Sequence, residues 1–357
     1  MELKTLQTIT ANFLKELEDA NAGKKTSLPF IIHELPSVSL VKDGETFQVL
    51  VIGGSIFLNA LLKKENGRLK ILKRESKSKP PYHTKDDFLR VMEEEIDTSI
   101  DNVAINFAFP LLPVFEKGRL DGKLLRGTKE HTFVGLVGEK IGESVEKYIL
   151  QKKQKSVTVS IANDTICLLL SGLTQVTTSD IAAGIVGTGD NFAIFLDKHR
   201  VVNLESASFD KVPQSEEGEL LDKTSQFPGT QLFEKETSGA YLYQLYNIHV
   251  EKEGLGLPVI SSTLELDSIL RDKNAKGRLL AKAIFARSAE LIACQIAAIT
   301  KFKQTDMTFV MEGSVFWRAT GYRSFVKKKL LEIAPEYAVT FVKIEDSPIF
   351  GAAKLVA

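Results

Sequence analysis

The sequence predicts an α/β protein with two domains, and three observations support this. The chain has 357 residues, more than a single hydrophobic core usually serves. Segments with the period-two pattern of strands alternate with amphipathic helical segments, as in mixed sheets flanked by helices. A strand, a glycine turn and a second strand follow one another around Gly53, and the same layout returns around Gly187.

Composition limits the classes of partner. Hydrophobic residues make up 43% of the chain and charged residues 26%, as in ordinary globular proteins. The 46 basic and 46 acidic residues cancel, so no overall field attracts a nucleic acid or an anionic membrane. The N-terminus lacks the pattern of a signal peptide, and no run reaches the ~20 apolar residues of a membrane span. We therefore expect a cytoplasmic protein with no nucleic-acid or membrane partner.

Both cysteines are predicted to be core residues. Cys167 and Cys294 lie in apolar runs and lack the spaced partners of a zinc site or a disulfide framework. We assign no metal-ligating side chains.

The pattern of apolar residues predicts the elements in chain order. The first half is predicted to contain a helix over 3–20, strands over 47–52, 57–63 and 69–73, a helix around 88–96, a strand over 103–109, a helix over 138–151 and a strand from 157. The second half is predicted to contain strands over 181–186 and 191–196, a helix over 276–300, strands over 309–311 and 337–342, and a short final helix opened by Gly351.

Residues 156–171, SVTVSIANDTICLLLS, place two polar residues in an otherwise apolar stretch. The alternation of Val157, Val159 and Ile161 predicts a strand, and the run after Asp164 predicts a buried helix. Asn and Asp favour the start of a helix because their side-chain oxygens accept from free backbone amides. Asp164 is therefore either a helix cap or an acid or base held in an apolar cleft.

Several common catalytic patterns are missing from the sequence. The five histidines show no HExxH spacing, and there is no GxSxG elbow, Walker A loop or GxGxxG fingerprint. Glycine-rich turns remain at Gly53-Gly54-Ser55, Gly187-Thr188-Gly189 and Gly313-Ser314. Glycine lets backbone amides approach an anion closely and a hydroxyl adds a donor, so these turns suit phosphates, although each one could equally be a plain hairpin.

From Phe107 to the C-terminus, motifs follow one another in a recognisable order. They are FAFP, Gly-Arg-Leu, Thr128-Lys129, SIANDT, IVGTGDN, NLESASF, FPGTQLFEKETSGAYL and EGSVF. In this order the chain resembles the hexokinase family. The resemblance implies a two-domain actin-like (ribonuclease H-like) fold, with mixed sheets flanked by helices and a sugar/ATP cleft between the domains. Residues 1–40 would form a helix and lead-in packed on the large domain, 41–165 a small domain and 166–357 the large domain.

The resemblance also implies an activity, an ATP-dependent hexokinase that phosphorylates the 6-hydroxyl of a hexose, with glucose as the first candidate. Its cofactors would be ATP and Mg²⁺, its state a monomer or homodimer, and its general base Asp164. The matching sugar-binding positions are Thr128, Lys129, Asn163, Asn191, Glu205 and Glu234. The matching nucleotide-binding positions are Gly53, Gly54, Ser55, Gly187, Thr188, Gly189, Gly313 and Ser314.

The first glycine turn departs from the family pattern. Val51, Ile56 and Leu58 stand where the family carries an acidic, an amide and a basic residue. The acid normally helps to hold hydrated Mg²⁺, so its loss should slow phosphoryl transfer. The alternative function is therefore a catalytically impaired, hexokinase-like protein that binds sugar or regulates. Asp190, beside the second glycine turn, could supply a replacement carboxylate or could be a solvated turn residue.

Two further departures concern the sugar. Ala108 replaces the serine that precedes Phe-Pro in the family, and Ser206-Ala207 replaces a Trp-Gly pair. The preferred hexose could therefore differ from the family's usual one.

Overall fold

The structure is a computed structural model that describes residues 1–53, 56–78, 81–127, 131–176 and 180–357. The chain forms two compact units. Unit 1 comprises Met1–Phe30, Ala182–Ile194 and Leu204–Lys343, and unit 2 comprises Ile31–Ile181, Phe195–Asn203 and Ile344–Ala357. Each unit is assembled from three separate segments, whereas the sequence predicted three continuous ranges.

The elements alternate between strands and helices along much of the chain, in agreement with the predicted α/β class. The strands are β1 Ile31–Glu34, β2 Thr46–Ile52, β3 Phe57–Glu65, β4 Arg68–Lys77, β5 Asn102–Phe107, β6 Leu111–Glu116, β7 Arg119–Leu124, β8 Thr158–Asn163, β9 Ile181–Val186, β10 Asp190–Phe195, β11 Arg200–Asn203, β12 Met307–Glu312 and β13 Val339–Val342. The helices are α1 Leu3–Asn21, α2 Lys85–Glu95, α3 Ile141–Lys153, α4 Asp164–Ser171, α5 Glu216–Thr224, α6 Leu232–Thr237, α7 Leu242–Lys252, α8 Thr263–Arg271, α9 Arg278–Lys303, α10 Ser314–Arg318, α11 Tyr322–Ile333 and α12 Ser347–Ala353.

Unit 2 is built on a five-stranded sheet in the order β4-β3-β2-β5-β8. The meander β2-β3-β4 is antiparallel, as predicted, and β2, β5 and β8 run parallel to one another. Nearly every residue of β5 and β8 is buried, as expected for parallel strands that are covered on both faces. Ile52 pairs with Phe107, and Phe107 pairs with Asn163, so the three parallel strands end at the same level.

Successive side chains of β2 point to opposite faces of this sheet. Leu50 and Ile52 join the aromatic core formed with α2 and α3, where Phe88, Phe107 and Phe133 are fully buried. Val51 therefore points to the other face, where α12 packs on β2 and β5. On that face the Asn106 side chain donates a hydrogen bond to the Pro348 carbonyl at 3.3 Å.

Two further features belong to unit 2. The antiparallel hairpin β6-β7 follows β5, and only Lys117 and Gly118 separate its two strands. The Glu95 side chain at the end of α2 is only 5% exposed and pairs with Lys77 at 2.9 Å.

Unit 1 contains strands in the order β10-β9-β12-β13, with β9-β10 antiparallel and β12-β13 parallel. Its central helix is α9, which packs against α1 and α11. Cys294 is buried on α9, and Cys167 is buried on α4 of unit 2, so both cysteines are core residues as predicted.

By length and composition α9 could cross a membrane, although no such run was predicted. However, 78% of its apolar window is buried inside the protein, as in the core helix of a soluble protein.

Helix α12 starts at Ser347, four residues before the predicted start at Gly351. A β-carbon built on Gly351 would lie 1.8 Å from the Cys167 carbonyl oxygen, so α12 approaches α4 backbone to backbone. We expect Gly351→Ala to lower the free energy of unfolding by about 1–3 kcal/mol or more, because backbone cannot move aside as a side chain can. Urea unfolding measures the change.

Gly23→Ala is the control for this substitution. Gly23 has a φ of +75° and open space around its Cα, so alanine there costs only about 1 kcal/mol of backbone strain. Equal losses for the two variants would contradict the close packing of α12 on α4.

Candidate functional site

Asp164 lies where β8 gives way to α4. The cap of α4 is Asn163, whose side-chain oxygen accepts from the Ile166 amide at 3.1 Å. Asp164 is the first helical residue and is half-buried. Its Oδ1 accepts from the Thr165 amide at 2.8 Å, the Asn163 amide group at 3.0 Å and the Thr165 hydroxyl at 3.3 Å. The carboxylate is therefore held in one orientation by local donors.

Three candidate positions of unit 2 share one edge of the sheet. Gly53, Ala108 and Asp164 directly follow Ile52, Phe107 and Asn163, the in-register ends of β2, β5 and β8. Adjacent strands lie ~4.8 Å apart, which puts Gly53 roughly 10 Å from Asp164 across the sheet. Ligands of open α/β sheets bind at the carboxyl ends of parallel strands. The predicted base thus lies at the same edge as Gly53, the described residue of the predicted first phosphate turn.

The second predicted phosphate turn joins β9 to β10 in unit 1. A β-carbon built on Gly187 would lie 3.1 Å from the Gly313 Cα, so these two predicted nucleotide positions are in backbone contact. Gly313 has a φ of +104° and no space for a side chain, since a β-carbon would meet the Val186 carbonyl at 2.1 Å. Only glycine fits there.

A pocket of about 480 Å³ opens beside this contact. It is lined by Gly187, Thr188, Gly239, Thr263, Leu264, Asp267, Arg271, Ser314, Val315, Arg318 and Ala319. The wall thus combines glycine backbone and hydroxyls with apolar side chains and two arginines. This chemistry and volume fit a nucleotide.

The structure also brings together three predicted sugar-binding residues of unit 1. The Asn191 side chain donates to Glu205 at 3.4 Å and accepts from the Phe192 amide at 2.8 Å. Glu234 accepts from the Asp190 amide at 3.1 Å. Burial raises the pKa of Glu234, the Asp190 amide lowers it, and the nearby charge of Glu205 raises it further. Two half-buried carboxylates and an amide offer the mixed donors and acceptors that sugar hydroxyls need.

Asp190 is not a solvated turn residue, so that interpretation from the sequence was wrong. Its side chain is buried, and Oδ2 accepts from the Thr237 hydroxyl at 3.0 Å. Burial raises its pKa well above the usual range, the Thr237 hydrogen bond lowers it, and the charge of Glu234 raises it. A carboxyl that is only 3% exposed has little access to a metal that arrives from solvent, which disfavours Asp190 as a replacement for the missing acid.

Helix α6 fixes Glu234 through the residues that follow it. Lys235 is 2% exposed and donates to Asp222, to the Ser225 hydroxyl and to the Phe227 carbonyl. The Glu236 carboxylate accepts from the Ser215 amide at 2.6 Å and from Arg287 at 2.7 Å.

Some predicted positions cannot be placed, and others were missed. Gly54, Ser55, Thr128 and Lys129 lie outside the described residues. The pocket is also lined by Thr263, Asp267 and Arg318, which were not predicted from the sequence. Arg318 is the last residue of α10, the helix that begins at the predicted position Ser314. This closeness in sequence is the one local signal for Arg318. Among the described residues, no cluster of three or more metal-ligating side chains occurs.

Comparison with known proteins finds hexokinases. The sequence profile of hexokinases matches residues 181–252 and 257–357. Over the whole chain, 24% of residues are identical to hexokinase-1 of Saccharomyces cerevisiae, of which 89% is covered. The chain is similar to hexokinases in sequence. The Emericella nidulans hexokinase is also 24% identical, with 100% of this chain and 88% of that protein covered.

Solved hexokinase structures confirm the fold class. The Schistosoma mansoni hexokinase, solved in complex with glucose, has a TM-score of 0.80 at 18% identity over 100% of this chain and 95% of that one. A second hexokinase crystal structure has a TM-score of 0.81 at 20% identity, covering 100% and 96% of the two chains. The chain therefore has the predicted two-domain actin-like α/β fold.

Two of the altered residues beside the first glycine turn lie opposite each other in the structure. Val51 and Leu58, which stand at the family's acidic and basic positions, pair directly across β2 and β3. Val51 is 8% exposed, and its other strand neighbour is Asn106. Replacing one charge alone would leave its partner unpaired and partly desolvated. With both positions aliphatic, no unpaired charge remains at this point of the hairpin.

We expect wild-type stability to fall as pH rises above the ordinary carboxyl pKa of about 4. The folded state keeps the proton on Asp190 while the unfolded state releases it, so the unfolded state binds fewer protons and gains relative stability. Asp190→Asn is neutral at every pH and keeps an acceptor for Thr237. Urea unfolding at a series of pH values should therefore show a weaker decline for the variant.

The matched control is Asp197→Asn, since Asp197 is an exposed turn residue whose pKa is lowered by the His199 amide. Its variant should retain the wild-type decline with rising pH. Parallel curves for wild type and Asp190→Asn would contradict a protonated Asp190.

Proposed function

We propose that this protein phosphorylates the 6-hydroxyl of a hexose with ATP as donor. The observation that carries the proposal is the Asp164 carboxylate, held by local donors at the edge of the sheet where Gly53 also lies. The similarity to hexokinases supports sugar phosphorylation in general. Glucose is the first candidate, because the solved Schistosoma mansoni relative was complexed with glucose.

Asp164 is the proposed general base. The sugar 6-oxygen attacks the γ-phosphorus of ATP, the bond between that phosphorus and the β,γ-bridging oxygen breaks, and ADP leaves. The proton of the hydroxyl passes to the Asp164 carboxylate. Asn163 and Thr165 keep the carboxylate oriented, which favours the transfer because the base need not reorganise.

The remaining sugar hydroxyls are assigned to Asn191, Glu205 and Glu234, with Asn163, Thr128 and Lys129 as further ligands. The Glu234 carboxylate can accept hydrogen bonds from sugar hydroxyls, and it is held in place by the Asp190 amide.

The nucleotide is assigned to the pocket beside Gly187, Thr188, Gly313 and Ser314. Mg²⁺, when bound with ATP, supplies charge neutralisation at the phosphates. Since Val51 provides no acid, we assign no side-chain ligand to the metal. Cytoplasmic location and a monomeric or homodimeric state belong to the same proposal.

Asp164→Asn should lower kcat by about 10²–10⁴-fold, because asparagine cannot take the proton. The variant can still accept the Thr165 amide, so the start of α4 is preserved. A coupled assay of ADP formation with glucose, fructose and mannose measures the rates.

Asp101→Asn is the matched control, because the Asp101 side chain is 78% exposed and pairs with Lys155 on the surface. It should keep the wild-type rate. A wild-type kcat in Asp164→Asn would contradict its role as base, and no phosphorylation of any hexose by the wild type would contradict the function.

A second function, a sugar-binding or regulatory protein without competent phosphoryl transfer, is favoured by one observation. Val51 and Leu58 together remove both charged positions of the first turn. Sugar binding through Asn191, Glu205 and Glu234 does not depend on that turn.

Titration calorimetry separates the two functions. The kinase is expected to bind Mg-ATP, with an affinity that rises at least several-fold when glucose is present, because the two ligands are coupled. Sugar binding without detectable Mg-ATP binding would favour the regulatory protein. Asp101→Asn again serves as control.

A further inference from the structure

The charges that line the nucleotide pocket of unit 1 are not balanced. Asp267 is buried, its Oδ1 accepts from the Thr320 amide at 2.7 Å, and its Oδ2 pairs with Arg271 at 3.0 Å. Asp267 and Arg271 therefore neutralise each other within the wall. Arg318 is the other charged residue among the lining side chains.

Arg318 has no acidic partner within the described part of the chain. It is exposed, and no carboxylate there comes within ion-pair distance of its guanidinium. By contrast, Arg323 on the next helix lies over the Trp317 ring at 5.0 Å. Arg318 thus leaves one uncompensated positive charge at the pocket.

The position of Arg318 relative to the glycine turn follows from α10. A β-carbon built on Gly187 would lie 3.5 Å from the amide nitrogen of Ser314, the first residue of α10, and Arg318 is the last. Four residues of helix rise by ~6 Å. The pocket wall therefore offers amides and hydroxyls at one end of α10 and a guanidinium about one turn further on.

The first glycine turn supplies no cation of its own at the family's basic position, because Leu58 stands there and faces Val51. A nucleoside triphosphate carries several negative charges, which other groups of the site must neutralise. Arginine matches phosphate oxygens through its planar fork of donors.

We infer that Arg318 binds a phosphate of the nucleotide in this pocket and replaces the cation absent at Leu58. The inference rests on the proposed assignment of the pocket to ATP. It adds a residue that distinguishes nucleoside phosphates from the uncharged nucleoside.

Calorimetric titration of the full chain with ATP and, separately, with adenosine tests the inference without any need for activity. Arg318→Gln should raise the Kd for ATP about tenfold, the loss expected for one charge-assisted contact, and change the Kd for adenosine less than twofold. Arg318→Lys should fall between wild type and Arg318→Gln for ATP, because lysine keeps the charge without the fork.

Lys328→Gln is the matched control, because Lys328 is an exposed cation of the same unit that does not line the pocket. It should bind both ligands like the wild type. Fluorescence of Trp317, the single tryptophan of the chain, reports folding next to the substituted residue.

An unchanged Kd for ATP in Arg318→Gln would overturn the inference, as would equal losses for ATP and adenosine or an equal loss in Lys328→Gln. A wild type that binds neither ligand would overturn it together with the ATP assignment. If Arg318→Gln selectively weakens ATP binding and no hexose is phosphorylated, the inference stands and the kinase function fails.

Discussion

The burial of consecutive polar residues on helix α6 is the constraint on which the unit 1 site depends. A buried ion costs several kcal/mol unless it is paired and hydrogen-bonded. The Lys235 ammonium is paired with Asp222, and the Glu236 carboxylate is paired with Arg287. The Thr237 hydroxyl donates to Asp190. These partners belong to α5, to α9 and to β10, so α6 is held by contacts with three different elements. Glu234 directly precedes Lys235 on this helix, so the combined contacts of the buried residues fix the position of its carboxylate.

At the strand-to-helix junction of unit 2, residues next to Asp164 in sequence hold its carboxylate in position. The sequence alone allowed two roles for Asp164, either the helix cap or the acid or base of a proton transfer. In the structure the two roles fall on neighbouring residues, because Asn163 caps α4 and Asp164 takes the first helical position. The Asn163 side chain serves both, since its oxygen accepts from Ile166 and its nitrogen donates to Asp164. A cap that orients its neighbour explains why the two polar residues occur as a pair in an apolar run.

Features set by neighbouring residues could be predicted from the sequence, including the β2-β3-β4 meander, the β9-β10 hairpin and the start of α4. Features set by distant partners could not. Asp190 looks like a turn residue in IVGTGDN, and only the packing of Thr237, from a separate helix, turns it into a buried acid. Similarly, Asp267 and Arg318 come from segments far apart in sequence, and each looks like an ordinary surface charge on its own helix. Gly313 is an example of a residue whose local geometry explains its identity, because its backbone conformation and its close neighbours exclude any other residue.

The pairing of Val51 with Leu58 shows why the altered turn should be considered as a unit. A carboxylate restored at position 51 alone would face Leu58 on one side and Asn106 on the other, in a position that is now 8% exposed. Its desolvation would go uncompensated, because the aliphatic side chain of Leu58 offers it no positive charge. In the proposed reaction, the phosphate charges must then be met by the backbone amides of the glycine turns, by the metal that arrives with ATP and by a cation elsewhere. Because positions 51 and 58 carry no charge, the inferred contact between Arg318 and a phosphate becomes important for binding in the nucleotide pocket.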